Sequence, residues 1–337
     1  MSKTLVKAYA AVAADKPLEP YEYELPELGP EQVDIQVSYC GICHSDFSMI
    51  RNEWGFTRYP FVPGHEVIGT VIAAGELAKG VKIGDQVGLG WFAGSCMHCL
   101  HCLSGEHNLC RKNEYTIVGR NGGFADKVRC HWAWATPIPA AVDSSKAGPL
   151  LCGGITVFHP LMELNVRPTH RVGVIGVGGL GHLALQFLNK WGCEVTAFTT
   201  SPDKTAEAMA MGAHSVVNSK DKSSMAAIAG SLDMVLNTTD ANLRWSDYMK
   251  ALAPKGILHT VGMVPEPIPV NAGAMINSQL SVSGSPLGSP AATREMIEFC
   301  ARHQIEPITE QFDLCDVNAA LEHFAAGKAR YRLVLKM

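Results

Sequence analysis

Six residues, Gly176-Val177-Gly178-Gly179-Leu180-Gly181, restrict what this chain can fold into more than any others. They form a G-x-G-x-x-G turn between an apolar stretch at 171–176 and a stretch with helical spacing at 180–191. There the glycines permit a tight turn, close approach of backbone to a pyrophosphate and close packing of helix on strand. The helix N-terminus then faces negative phosphate. Further strands are predicted at 194–198, 215–217, 233–237, 257–261 and 280–283, with helical text between most of them. That is the signature of a doubly wound parallel α/β sheet. From about residue 286 the chain predicts two helices and a closing strand at 330–336.

The text before residue 147 is different. Short apolar stretches at strand spacing, such as Val33, Ile35 and Val37, are broken by Gly, Pro and Asp turns. With 337 residues to place, we expect a β-rich domain of residues 1–148 and 286–337 and a dinucleotide-binding domain of residues 149–285. A net charge of −4 without any run of Lys or Arg leaves no footprint for nucleic acid or an acidic membrane surface. No 18 apolar residues run together, and Lys7 and Asp15 interrupt the start, so a cytoplasmic protein is expected.

Eleven cysteines are too sparse for a disulfide scaffold, but Cys96-x-x-Cys99-x-x-Cys102 followed by Cys110 is a metal-ligand spacing. Four thiolates around one ion suit a structural zinc; an Fe–S cluster and buried free thiols are the alternatives. The interleaved His98, His101 and His107 read as loop residues, unless one replaces a cysteine. A second constellation joins Cys43, His65 and Cys152, each within two residues of a glycine. Two thiolates and one imidazole leave a fourth position open, as in a catalytic zinc site.

Taken in order, Cys43-His44-Ser45-Asp46, the island Gly64-His65-Glu66-Val67-Ile68-Gly69, the cysteine lobe, Cys152-Gly153-Gly154-Ile155-Thr156 and the glycine turn resemble the zinc-dependent medium-chain alcohol dehydrogenases. Within them the chain is similar to the cinnamyl-alcohol-dehydrogenase-like branch, and most to bacterial broad-specificity NADPH-dependent aldehyde reductases. The likeness covers essentially the whole chain. It implies a GroES-like catalytic domain beside a Rossmann domain, two Zn²⁺ per chain, NADP(H) and a homodimer joined near residues 280–283. It also implies Cys43, His65 and Cys152 as catalytic zinc ligands, Glu66 as a carboxylate able to approach the metal, Asp46 as the group orienting His65, and His44 turned toward the cofactor phosphates.

About 20 residues after the glycine turn, where an NAD site offers an acid to the ribose, the chain reads Thr199-Thr200-Ser201-Pro202-Asp203-Lys204. Three hydroxyls and a lysine suit a 2′-phosphate, so NADP is expected, with Asp203 the one opposing charge. Gly176, Gly178, Gly179, Leu180 and Gly181 are the expected pyrophosphate turn. By resemblance, Thr156, the backbone at Val261-Gly262 and the segment Ser283-Gly284-Ser285 border the nicotinamide, and Arg332 reaches the pyrophosphate.

The implied reaction is hydride transfer from NADPH to an aldehyde carbonyl polarised by zinc, giving a primary alcohol. By resemblance Ser45 passes the proton. Many relatives continue with a histidine three residues later, where this chain has Ser48, so the relay is expected to end in a hydroxyl or a water. Trp54, Trp91 and Tyr115, with Met263 from the other domain, are the expected apolar wall of a cleft between the domains. A zinc-free quinone reductase of the same fold, or a non-catalytic NADP-binding protein, is the alternative. Both metal constellations would be surplus to it.

Overall fold

The computed structural model describes residues 4–337; Met1, Ser2 and Lys3, counted above in the β-rich domain, lie outside the described residues. The chain divides into two compact units, one running up to Ile155 and resuming at Leu287, the other spanning Thr156–Pro286.

In the first unit, β1 (Thr4–Ala11) and β2 (Leu18–Leu25) form an antiparallel hairpin. The strand β3 (Gln32–Ile42) is followed by a helix at His44–Ile50, β4 (Val67–Ala74), β5 (Gln86–Leu89) and β6 (Phe92–Gly94). After them come β7 (Glu114–Tyr115), β8 (Lys127–His131) and β9 (Thr136–Pro137). β3 pairs antiparallel with both β4 and β8. Its Val33, Ile35 and Val37 are buried in a core that includes Phe124 and Leu89, as period-2 alternation demands of a half-buried strand.

The second unit holds β10 (Arg171–Ile175), β11 (Glu194–Thr199), β12 (Ser215–Asn218), β13 (Leu232–Asn237), β14 (Leu252–Thr260) and β15 (Ser281–Gly284). All pair in parallel, in the order β12-β11-β10-β13-β14-β15. The order reverses between β10 and β13, and this switch point is where open α/β sheets bind ligands. Val172, Val174, Val195, Ala197, Val235 and Leu236 are all shut from solvent, as expected where helices cover both faces of a sheet.

The chain then returns to the first unit with a helix at Pro290–His303, β16 (Thr309–Asp313), a helix at Val317–Ala325 and β17 (Arg332–Lys336). β16 corrects the reading of that stretch as helices plus one strand. It lies at the sheet edge, parallel to β17, and its sequence Thr-Glu-Gln-Phe-Asp is too polar to announce a strand. β14 starts five residues earlier than expected. It passes through Pro254-Lys255-Gly256 with Lys255 at φ 68°, and its pairing with β13 slips there. β17 pairs antiparallel with β3, setting Leu333 opposite Ile42 and bringing the late segment beside Cys43.

No helix among the described residues is long and apolar enough to cross a membrane.

Candidate active site

β3 ends at Ile42, and Cys43 becomes the N-cap of the helix His44–Ile50. Its amide donates to Asp46 Oδ2 at 3.0 Å. Asp46 Oδ1 accepts from the Gly64 amide at 2.8 Å and from His65 Nδ1 at 2.9 Å. Gly64 sits at φ 101°, and a Cβ there would strike Phe124 and Cys40, so only glycine lets the loop bring its amide and His65 to that carboxylate. One buried carboxylate thus ties three backbone and ring donors together. It also assigns the His65 proton to Nδ1, which leaves the Nε2 lone pair free.

His65 Nε2 lies 3.3 Å from Cys152 Sγ, and Cys43 Sγ lies 3.8 Å from the same sulfur. With a Glu66 oxygen added, all four ligand atoms fall within 4.8 Å of one another. Glu66 is fully buried. One oxygen accepts from the buried Arg332 guanidinium, and Oε2 has no partner. A Cβ at Gly41 would collide with that carboxylate. Arg332, expected at the pyrophosphate, is therefore found holding Glu66. Burial pushes the Glu66 carboxyl up to about 7 against the pull of Arg332. Burial pulls the His65 imidazole down, but the Asp46 carboxylate outweighs it and raises the ring well above its usual range. A hydrogen bond from Cys152 holds Cys43 well below the usual thiol range. A buried carboxylate oxygen without a donor, beside two thiols and an imidazole nitrogen, is a donor set that fits a cation, and its S₂N(O) chemistry fits zinc.

The second group, Cys96, Cys99, Cys102 and Cys110, is held in a loop whose neck is the β6–β7 pair. Contrary to the reading of that stretch as irregular, Leu100–Leu103 makes one helical turn, which puts Cys99 at its start. The Cys99–Cys102 and Cys96–Cys110 sulfurs are 3.5 Å apart and Cys96–Cys102 3.9 Å. Four thiolates about 2.3 Å from a central zinc stand about 3.8 Å apart, so these spacings fit an ion. Backbone amides, that of His98 foremost, pull the Cys96 thiol down to about 6, while burial pushes Cys102 up to about 11.

Beside the first group, Trp91 meets the His65 ring edge-on at 4.9 Å and also touches Trp54 and Tyr115, at 6.1 and 5.9 Å between ring centres. All three are half-buried. His44 is exposed against Phe47 and Phe324 and takes no part in the donor set. Ser45 is half-buried in the first helical turn. Three residues on, the buried Ser48 donates from Oγ to Glu53 Oε2 at 2.6 Å. The chain turns back after the helix so that the Glu53 amide reaches the Ser48 carbonyl, at 2.9 Å. A carboxylate therefore stands where the sequence led us to expect only a hydroxyl or a water. Glu53 was missed because its place depends on that turn.

In the second unit, Gly176 takes φ 87° at the end of β10, a Cβ on Gly178 would meet nothing, and one on Gly181 would hit the Gly176 carbonyl. The turn thus has one open face where a phosphate can approach. The helix itself begins at Gly181, with Leu180 as its N-cap, and Gly179 lies in the turn before it. Thr199 is buried, and its Oγ1 accepts from the Ser201 amide at 3.1 Å, so it shapes the turn and leaves Thr200 and Ser201 as the accessible hydroxyls. Lys204 Nζ donates to the Val177 carbonyl at 3.4 Å, which sets its ammonium against the glycine turn.

The amides of Val261 and Gly262 both donate to the Asn237 carbonyl, so only their carbonyl sides remain for a ligand. Ser283 and Ser285 both engage the buried His259, at Nδ1 (2.9 Å) and Nε2 (3.0 Å), a centre the sequence reading did not single out. Thr156 is buried in the helix Gly153–Glu163, and Met263 is 76% exposed on its own unit.

Residues 29–140 match the family model of the alcohol dehydrogenase GroES-like domain, and residues 179–302 match that of zinc-binding dehydrogenase. The chain is 51% identical over 331 residues to the aldehyde reductase AdhA of Synechocystis sp., covering 98% of each. It is similar in structure to a cinnamyl alcohol dehydrogenase of Sorghum bicolor, with TM-score 0.94, 34% identity, and 99% and 98% of the two chains covered. It is also similar to a CAD of Helicobacter pylori solved with NADP(H), with TM-score 0.90, 30% identity, and 100% and 99% covered.

Proposed function

This chain belongs to the zinc-dependent medium-chain alcohol dehydrogenases, in their cinnamyl-alcohol-dehydrogenase-like branch, and on that premise we propose that it is an NADPH-dependent aldehyde reductase holding two zinc ions. The observation that carries this reading is the buried Cys43, His65, Glu66 and Cys152 set, with Asp46 fixing the imidazole and one Glu66 oxygen left without a donor. Cys43, His65 and Cys152 hold the catalytic ion, with Glu66 beside it; the cysteine lobe holds the other.

The bound groups supply polarisation of a carbonyl oxygen and hydride for its carbon. The protein does the rest. Asp46 keeps the His65 tautomer that presents Nε2, and Arg332 keeps Glu66 from standing as a lone buried charge. Trp91, Trp54 and Tyr115 form an apolar wall that keeps water from the reacting carbonyl. The Ser45 hydroxyl gives its proton to the nascent alkoxide, and Ser48 with Glu53 forms the outward end of the relay. Thr200, Ser201 and Lys204 hold the 2′-phosphate, while Gly176, Gly178 and Gly181 admit the pyrophosphate.

A homodimer is supported by β15, an edge strand with one side unpaired, and by the adjacent helix Ala272–Ser278, none of whose residues is buried. A cytoplasmic setting suits two metal sites that need Cys43, Cys96, Cys99, Cys102, Cys110 and Cys152 reduced.

The test follows NADPH absorbance with benzaldehyde and with a straight-chain aldehyde. We expect turnover with NADPH well above that with NADH. Lys204→Ala should raise the NADPH KM roughly 10- to 100-fold, the worth of one charge-assisted phosphate contact, and leave that for NADH nearly unchanged. Equal kcat/KM for the two cofactors in the wild type would refute the assignment.

A further inference from the structure

We propose that the cysteine lobe is a peroxide-reactive modification site whose geometry selects two disulfides, Cys96–Cys110 and Cys99–Cys102, and whose oxidation releases its metal ion. The sulfurs of these two pairs stand 3.5 Å apart, against 3.9 Å for Cys96–Cys102. Each joins unlike partners: Cys96 and Cys99 are half-buried, whereas Cys110 and Cys102 are each 5% exposed. A small oxidant meets Cys96 or Cys99 first, and in either case the sheltered member of its own pair stands 3.5 Å away. One accessible thiolate beside one resolving thiolate is the arrangement found in reversible redox cysteines.

The chemistry balances within each pair. The accessible thiolate sulfur attacks one peroxide oxygen and becomes a sulfenic acid while hydroxide leaves. The partner thiolate then attacks the sulfenic sulfur, the S–S bond forms, and a second hydroxide departs. Two thiolates are oxidised and one peroxide is reduced to two waters, with two protons taken from solvent. A disulfide sulfur is no longer a thiolate ligand, so the first bridge leaves the ion with two of its four donors.

The other cysteines lack this arrangement. Cys43 and Cys152 are 3.8 Å apart but each only 8% exposed, so neither is an accessible first target. Cys40, Cys130, Cys193 and Cys300 are buried, and Cys315 is exposed but lies outside both donor groups. The lobe joins the rest of its unit through β6 and β7, where Phe92 pairs with Tyr115 and Tyr115 touches Trp91, the ring that stands on His65.

The inference rests on the lobe holding zinc, as proposed above, and the experiment separates the two claims. Zinc is counted in the full-length protein and in Cys99→Ser before any oxidant; equal counts would overturn both. The zinc-loaded protein and its Cys315→Ser variant are then given one to a few equivalents of hydrogen peroxide. A chromogenic chelator follows metal release, and peptide mass spectrometry without reduction maps the bridges. We expect loss of one zinc per chain in both proteins, with Cys96–Cys110 and Cys99–Cys102 the bridged peptides, and recovery on adding dithiothreitol and zinc. Crossed pairs, oxidation first at Cys43 or Cys152, or zinc retained while only Cys315 reacts would overturn the proposal.

Discussion

Asp46 accepts from Cys43, Gly64 and His65 through the two oxygens of one side chain, so its charge and its shape can be tested apart. Asp46→Asn keeps the shape and removes the charge that favours the Nδ1–H tautomer. We expect zinc affinity to fall about 10- to 100-fold, measured by competition with a chelator, with little change in the circular dichroism spectrum. The proton path gives a second test at this scale. Ser45→Ala should lower kcat for aldehyde reduction by roughly 100-fold. Ser48→Ala and Glu53→Gln should each lower it less, and an unchanged kcat in Glu53→Gln would mean that the path ends in water. The grouping of Cys43, His65 and Cys152 was legible in the sequence because donor chemistry and nearby glycines lie within short motifs, while Glu66 joined it only through the family resemblance. Arg332 and Glu53 were not, since the partner of Arg332 is 266 residues away and is set by the register of β17 on β3.

Among the elements, β14 carries a buried polar contact to β15 and the residue after it. His259 is 1% exposed between Ser283 and Ser285, and burial, with the nearby His159 adding to it, pulls its imidazole down to about 4. An unfolded histidine titrates near 6.5, so below that pH the unfolded chain takes up a proton that the folded one refuses. Stability from this group is therefore full above about pH 6.5 and is lost as pH falls toward 4. We expect a loss on the order of 2 kcal/mol between about pH 7.5 and about pH 5 in urea unfolding, and His259→Gln should flatten that slope. The strands of the second unit were readable because parallel strands buried on both faces are continuous apolar runs bounded by glycine turns. β16 was not readable, because an edge strand with one paired side needs little apolar content.

For the whole molecule, the two donor groups differ in what a bound ion would do for the fold. The first is assembled from β3, the loop at 64–66 and Cys152, elements whose packing stands on its own core. The second closes a loop with little apolar interior, and Leu100 and Leu103 point to solvent at 78% and 75% exposure. Cys152→Ser should bring the zinc count from two to one per chain and abolish turnover at nearly unchanged Tm. Cys99→Ser should lower Tm, because the ion's binding energy there is folding energy. Elemental analysis beside calorimetry distinguishes them.

The pairing of β17 with β3 also has a consequence for synthesis. Arg332, which steadies Glu66, emerges 289 residues after Cys43, a delay of roughly 15 to 60 s at ordinary translation rates. The unit spanning Thr156–Pro286 is contiguous and can form its sheet in that interval. The earlier-made thiols must wait on the ribosome for the strand that completes their surroundings. The contact between Arg332 and Glu66 is thus the last of this site's contacts to become possible on a nascent chain, and a messenger cut short before the codon for Arg332 yields a product whose second unit is complete but whose Glu66 has no guanidinium beside it.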